Sequence, residues 1–208
     1  MFFKNKNNLI KQLKEEGLLE KKEVYEAFVK IDRGDFVLKE HKKEAGRNIP
    51  LSIGYGQTIS QPQVVAFMIS LLQPEEENKV LDIGFGSGWT TALLAEIVKP
   101  GKVYGIERVP EVYEFGKKNI QKYNFLKTGS VEVFLGDGRE GKEDKAPFDR
   151  ILISASDKDA NLPLKLREQL KVNGRLVMPI RDSIYLFIKT EDDFEMREYG
   201  GFSFVPLV

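Results

Sequence analysis

The chain has 208 residues, 41% of them hydrophobic and 31% charged, the balance expected of a soluble globular protein with one sizeable core. Lys plus Arg equals Asp plus Glu at 32 each, so no overall basic charge draws the chain to nucleic acid or to an anionic membrane. There is no cysteine, which removes disulfides, thiolate nucleophiles and cysteine metal sites together.

The N-terminus has three apolar residues, Met1 to Phe3, before polar ones begin, so no signal peptide is expected and a cytoplasmic protein is. Leu9, Ile10 and Leu13, then Val24, Ala27, Phe28 and Ile31, recur at three- and four-residue spacing and predict two short helices separated near Gly17. Arg33-Gly34-Asp35 interrupts this pattern, and its likeness to a cell-adhesion tripeptide is taken as accidental. The single histidine, His41, sits in the charged run Lys39 to Glu44 and is expected to be a solvated surface residue. Neither a metal site nor a Ser-His-Asp triad is expected around it. Asn48 to Ser60 carries two glycines and a proline around Tyr55, a composition that predicts a loop. A helix from near Gln61 to Leu72 follows, opened by Pro62 in its first turn. The run Val64 to Leu72 is too short to span a bilayer, which needs about 20 residues.

From Lys79 the pattern alternates. Strands are predicted at 80–83, 102–106, 131–135, 149–154, 174–180 and 183–189, with a last one near 202–206. Helices are predicted at about 89–98, 110–123 and 162–170. Such alternation predicts an α/β fold with a mostly parallel, doubly wound sheet, and the final strands, which lack intervening helices, predict an antiparallel edge. The chain is expected to form one domain: a helical N-terminal extension over 1–47, a loop over 48–62 and an α/β core over 79–208.

In such a sheet ligands bind beyond the carboxyl ends of the strands. Three features fall there: the turn Asp82-Ile83-Gly84-Phe85-Gly86-Ser87-Gly88, Glu107 at the end of the next strand, and Asp137-Gly138 after the third. Glycines 84, 86 and 88 would let the backbone turn tightly against a ligand. Glu107, 19 residues beyond Gly88, is placed to accept hydrogen bonds from ribose hydroxyls, and Asp137 from an adenine amino group. The spacing is G-x-G-x-G, not the G-x-G-x-x-G of dinucleotide sites, and Asp82 precedes the first glycine by two residues. A carboxylate there repels a pyrophosphate but suits the ammonium of a methionine moiety. The expected cofactor is therefore S-adenosyl-L-methionine, with a nicotinamide oxidoreductase as the rival reading. Trp89 is expected to pack at a helix start.

Several segments, in order along nearly the whole chain, carry a resemblance. They are Pro50 to Pro62 (PLSIGYGQTISQP), Val80 to Gly88 (VLDIGFGSG), Gly136-Asp137-Gly138, Ala146 to Asp149, Leu170 to Pro179, and Phe204 to Leu207. On these the chain resembles the protein-L-isoaspartate (D-aspartate) O-methyltransferases, and the first segment is the most diagnostic. The resemblance implies a Rossmann-like methyltransferase fold and transfer of a methyl group to the free α-carboxylate of isoaspartyl residues in damaged proteins. It implies Ser60 as the active-site residue, with Thr58 and Ile59 lining the cofactor site alongside Asp82, Gly84, Gly86, Ser87, Gly88, Glu107, Asp137 and Gly138. The substrate carboxylate is already a nucleophile, so the site needs orientation and desolvation more than an acid or base. Ser60 could donate a hydrogen bond to that carboxylate, or simply cap the helix that follows. A different acceptor, and a cofactor-binding module without catalysis, are the alternatives; a monomer is expected. The chain departs from the family pattern at Ser154 to Pro163, at Arg181-Asp182-Ser183 and at Tyr55, and the first two departures bear on the acceptor.

Overall fold

The computed structural model describes residues 2–155 and 162–202, with side chains from Lys6 onward. The two N-terminal helices form as the apolar spacing predicts: α1 spans Phe2–Glu15 and α2 spans Lys22–Lys30, burying Val24, Ala27 and Phe28. Asn48 to Ser60, expected as a loop, contains a small antiparallel hairpin instead, β1 (Leu51–Gly54) and β2 (Gln57–Ile59). Leu51, Ile53 and Ile59 are buried, and Tyr55-Gly56 makes the two-residue turn with both φ positive, 53° and 72°. That geometry matches the right-handed twist of paired strands, which is why a glycine-rich stretch can still pair. Helix α3 (Pro62–Leu72) follows, burying Val65, Ala66, Met68, Ile69 and Leu72, each of the larger side chains worth about 1.5–3 kcal/mol.

The alternating half then runs β3 (Lys79–Ile83), α4 (Trp89–Ile97), β4 (Lys102–Glu107), α5 (Pro110–Gln121), a short α6 (Phe125–Thr128), β5 (Val131–Leu135), β6 (Phe148–Ile153) and α7 (Leu164–Gln169). It closes with β7 (Leu170–Ile180), β8 (Ser183–Lys189) and β9 (Phe194–Gly200). β9 was not expected from the sequence; the strand expected near 202–206 lies, from residue 203 on, outside the described residues, as do 156–161 of the Ser154 to Pro163 departure. The seven large-sheet strands are ordered β5-β4-β3-β6-β7-β8-β9, parallel through β7 and antiparallel at β7–β8 and β8–β9. Chain order reverses direction between β3 and β6, so the crevice of this sheet lies beyond their carboxyl ends.

Side chains alternate across β3. Val80 packs on the face covered by α1 to α5, and Leu81 and Ile83 on the face covered by α7. Asp82 therefore points to the α4 side. Helix α3 is fixed at both ends by polar side chains from elsewhere. Asn48 Oδ1 accepts from the Gln63 N–H at 3.0 Å, while Arg150 Nε and Arg175 Nη1 donate to the Gln73 and Leu71 carbonyls at 2.9 and 2.7 Å. These bonds satisfy groups that a helix end leaves unpaired, and they hold α3 against the sheet. Among the described residues no helix is long and apolar enough to cross a membrane.

Candidate active site

A cleft of about 300 Å³ opens at this crevice. One wall is the segment Gln57 to Gln61 with Val64; the other is Gly84, Gly86, Ser87 and Thr90, with Glu107, Ser154 and Ala155 completing it. Of the residues picked from the sequence, the structure brings together Ser60, Thr58, Ile59, Gly84, Gly86, Ser87 and Glu107. Asp82, Gly88, Asp137 and Gly138 do not reach its lining.

The turn after β3 works through its backbone. Gly84, Gly86 and Gly88 have φ of 73°, 52° and 85°, values that L side chains rarely adopt. The Gly84 N–H donates to the Ile106 carbonyl at 2.8 Å, and buried Asn119 of α5 donates to the Ser87 carbonyl at 3.0 Å. Gly88 serves packing: a Cβ there would stand 2.7 Å from Ile120 Cγ1 and 2.8 Å from the Gly116 carbonyl. Gly138 likewise lies under β3, where a Cβ would meet Ile83 Cγ2 at 2.1 Å. Asp137 caps a short 3-10 turn and forms an ion pair with Arg139 Nη2 at 2.6 Å. Hydrogen bonding from Arg139 holds its carboxyl down at about 2.

Glu107 is held by three backbone N–H groups. Oε2 accepts from Gly86 at 3.0 Å, and Oε1 accepts from Arg108 and Val109 at 2.8 and 3.0 Å. The carboxylate is thus pre-oriented at the cleft wall, with a lone pair left on Oε2 for a ribose hydroxyl. Asp82 is fully buried behind the turn. Its Oδ2 accepts from the Thr91 hydroxyl at 2.6 Å, and its Oδ1 has no partner among the described residues. Burial pushes its carboxyl up to about 7, the Thr91 hydrogen bond opposes this, and the Glu107 charge adds to it. An orphaned buried carboxylate oxygen next to a glycine turn fits a cationic group, and the Glu107 carboxylate fits hydroxyl donors. The residues present therefore suit S-adenosyl-L-methionine, whose methionine end is cationic and whose ribose is a diol.

Ser60 does not cap α3. The cap residue is Gln61, Asn48 takes the Gln63 N–H, and no hydrogen bond engages the Ser60 hydroxyl among the described residues. It lies free on the cleft wall. Trp89 is buried at the first turn of α4 against Phe28, as a packing residue. His41 is half-buried rather than fully solvated, with Nδ1 3.1 Å from Glu44 Oε2. Tyr55 stands exposed at the hairpin tip. Sequence reasoning missed Thr90, Thr91 and Val64, since Thr91 stands in an apolar helix where only packing reveals its partner. It also passed over Arg33, which turns out to be buried. Among the described residues no group of three or more His, Cys, Asp or Glu could hold a metal ion.

The family model described as protein-L-isoaspartate(D-aspartate) O-methyltransferase matches residues 4–208. The chain is 45% identical over 205 residues to a Thermococcus onnurineus protein-L-isoaspartate O-methyltransferase, covering 96% of this chain and 91% of that one. It is 41% identical over 214 residues to the Methanopyrus kandleri protein of the same description, covering 100% and 93%. Among solved structures it is similar to a Plasmodium falciparum protein-L-isoaspartate O-methyltransferase in complex with S-adenosyl-L-homocysteine. That match has a TM-score of 0.83 and 26% identity, and covers 97% of each chain.

Proposed function

The chain belongs to the protein-L-isoaspartate(D-aspartate) O-methyltransferase family, and on that premise we propose how its cleft performs the family's reaction. It is an S-adenosyl-L-methionine-dependent methyltransferase whose substrates are isoaspartyl-containing proteins. The observation that carries the assignment of roles is the free Ser60 hydroxyl on the wall opposite the glycine turn.

S-adenosyl-L-methionine, when bound, supplies a methyl group already activated on a sulfonium sulfur. Glu107 would hold the ribose hydroxyls, the Gly84 to Gly88 backbone would give room for close approach, and Asp82, buried behind that turn, would compensate the charge of the methionine ammonium. Thr58 and Ile59 line the cofactor from the hairpin side. Ser60 donates its hydroxyl to one oxygen of the isoaspartyl α-carboxylate, leaving the other free to attack. That oxygen would receive the cofactor's methyl group, and the cofactor would leave as S-adenosyl-L-homocysteine. Opposite charges vanish in this step, so a site that excludes water and fixes geometry accelerates it without an acid or base. Residues 1–208 work as one domain, in which the 48–62 segment completes a cleft whose floor comes from the 79–208 core, and the 1–47 extension packs behind it. The chain acts as a monomer in the cytoplasm, without nucleic acid or membrane partners.

The test is incubation with an isoaspartyl peptide, its aspartyl counterpart and methyl-labelled cofactor. Base-labile label on the isoaspartyl peptide alone is the expected result. Label on neither peptide, with the cofactor still bound, would overturn the acceptor and favour another one. Binding of NAD in place of S-adenosyl-L-methionine in calorimetry would overturn the cofactor assignment.

A further inference from the structure

Arg33 belongs to the N-terminal extension, away from every motif used above, yet it is only 4% exposed. Its guanidinium donates to four backbone carbonyls. Nη1 reaches Ala45 at 3.0 Å and Arg47 at 3.4 Å; Nη2 reaches Ile49 at 2.8 Å and Ser60 at 3.1 Å. Ile49 lies just before β1, and Ser60 follows β2 directly. Arg33 therefore clips together both ends of the hairpin that carries Thr58 and Ile59. Its guanidinium carbon also lies 5.5 Å from the centroid of Trp89, the residue that follows Gly88 in the glycine turn. The same side chain thus touches the base of one cleft wall and the root of the other.

A structural arginine could be satisfied far more cheaply. Burial of a cation is costly unless it is paired, and here no carboxylate pairs with it among the described residues. Only the planar five-donor fork of arginine can serve carbonyls from two separate segments at once. Asn48 adds a second clip at the same base, with Oδ1 on the Gln63 N–H at 3.0 Å and Nδ2 on Gln63 Oε1 at 2.9 Å. The Ser60 carbonyl is thereby held by Arg33 and the helix start three residues on by Asn48, while the Ser60 hydroxyl is left unengaged.

We infer that Arg33 is a positioning residue for the methyl transfer, setting the Ser60 hydroxyl and the β1–β2 hairpin at their distance from the glycine turn. The inference rests on the function proposed above. It also gives the N-terminal extension a task in the reaction beyond covering the sheet.

The experiment compares Arg33→Lys, Ser60→Ala and the double variant in the full-length chain. A lysine keeps the charge but its single ammonium cannot span the four carbonyls. Arg33→Lys is expected to lower kcat/KM for an isoaspartyl peptide at least tenfold while S-adenosyl-L-homocysteine affinity stays within about threefold. Adding Arg33→Lys to Ser60→Ala should cost little more than Ser60→Ala alone, because both act through one hydroxyl. Amide hydrogen exchange should quicken over residues 51–60 and stay unchanged in β3 and β4. Wild-type-like kcat/KM in a folded Arg33→Lys protein would overturn the inference. So would parallel losses of activity, S-adenosyl-L-homocysteine affinity and Tm, or effects that add in the double variant. If Arg33→Lys does not fold, Asn48→Ala loosens the same hairpin base: a threefold or larger fall in kcat/KM supports the inference, and no change refutes it. Should the wild-type chain fail to methylate the isoaspartyl peptide, the proposed function falls, and the exchange measurement alone then decides whether Arg33 holds the hairpin.

Discussion

Replacing Asp82 by asparagine tests the electrostatics of the cleft directly. In the folded chain its carboxyl titrates at about 7, against an ordinary 3.8, chiefly because burial disfavours the charge. That span is roughly three pH units, or about 4 kcal/mol at 1.36 kcal/mol per unit. Between the two values the folded state keeps a proton that the unfolded state has lost. Stability therefore falls as pH rises through this window and levels off above 7. Asparagine carries no charge and retains a partner for the Thr91 hydroxyl. From pH 5 to pH 8 the wild-type chain loses about 3 kcal/mol that Asp82→Asn keeps. At about 2–4 °C per kcal/mol for a chain of this size, the Tm advantage of the variant should widen by roughly 6–12 °C. Scanning calorimetry of both cofactor-free proteins at pH 5, 6, 7 and 8 measures it. A gap that stays constant across that range would refute the reasoning. At pH 8 the same variant should bind S-adenosyl-L-homocysteine at least tenfold more weakly. A widening Tm gap with unchanged affinity would leave the burial argument standing and remove Asp82 from the ammonium site.

Three further outcomes are expected. Ser60→Ala should lower kcat for an isoaspartyl peptide by about ten- to a hundredfold, in line with loss of one oriented donor, with S-adenosyl-L-homocysteine affinity and Tm unchanged; a fall in Tm would instead make it a structural residue. Glu107→Gln should weaken S-adenosyl-L-homocysteine binding at least tenfold in calorimetry, and it should also destabilise the apo chain by about 1–3 kcal/mol, because an amide cannot accept from three backbone N–H groups as a carboxylate does. Gly88→Ala should cost about 3 kcal/mol, through positive φ and contact with Ile120 and the Gly116 carbonyl. If thermal melts showed no loss, packing would not be the reason for glycine at that position.

Periodic and local features were legible in the chain itself. The two N-terminal helices follow from apolar residues at three- and four-residue spacing, and the start of α3 follows from Pro62. The alternating half follows from short β-rich runs between helical ones, because burial of one face or both depends on spacing alone. Glycine spacing after β3, with Asp82 ahead of it and Glu107 at the next strand end, indicated the cofactor from local chemistry. Tyr55-Gly56 was harder, since a turn that permits pairing and a turn that merely bends have the same composition. β9 itself was missed because an edge strand, exposed along most of its length, carries no buried alternation to betray it.

Tertiary structure decided which of those residues share a cleft. Gly88, Asp137 and Gly138 belong to the same motifs as the lining residues but spend their geometry on packing and local hydrogen bonds. Asp82 and Thr91 are nine residues apart, and only the docking of α4 on the sheet joins them. The role of Ser60 could not be separated from helix capping until Asn48 was seen to occupy the Gln63 N–H. Arg33 gave no sign at all, because its partners are carbonyl oxygens, which every residue has and no sequence pattern marks. Motif and periodicity are properties of neighbours along the chain, whereas burial, orphaned polar atoms and shared walls exist only once distant segments have packed.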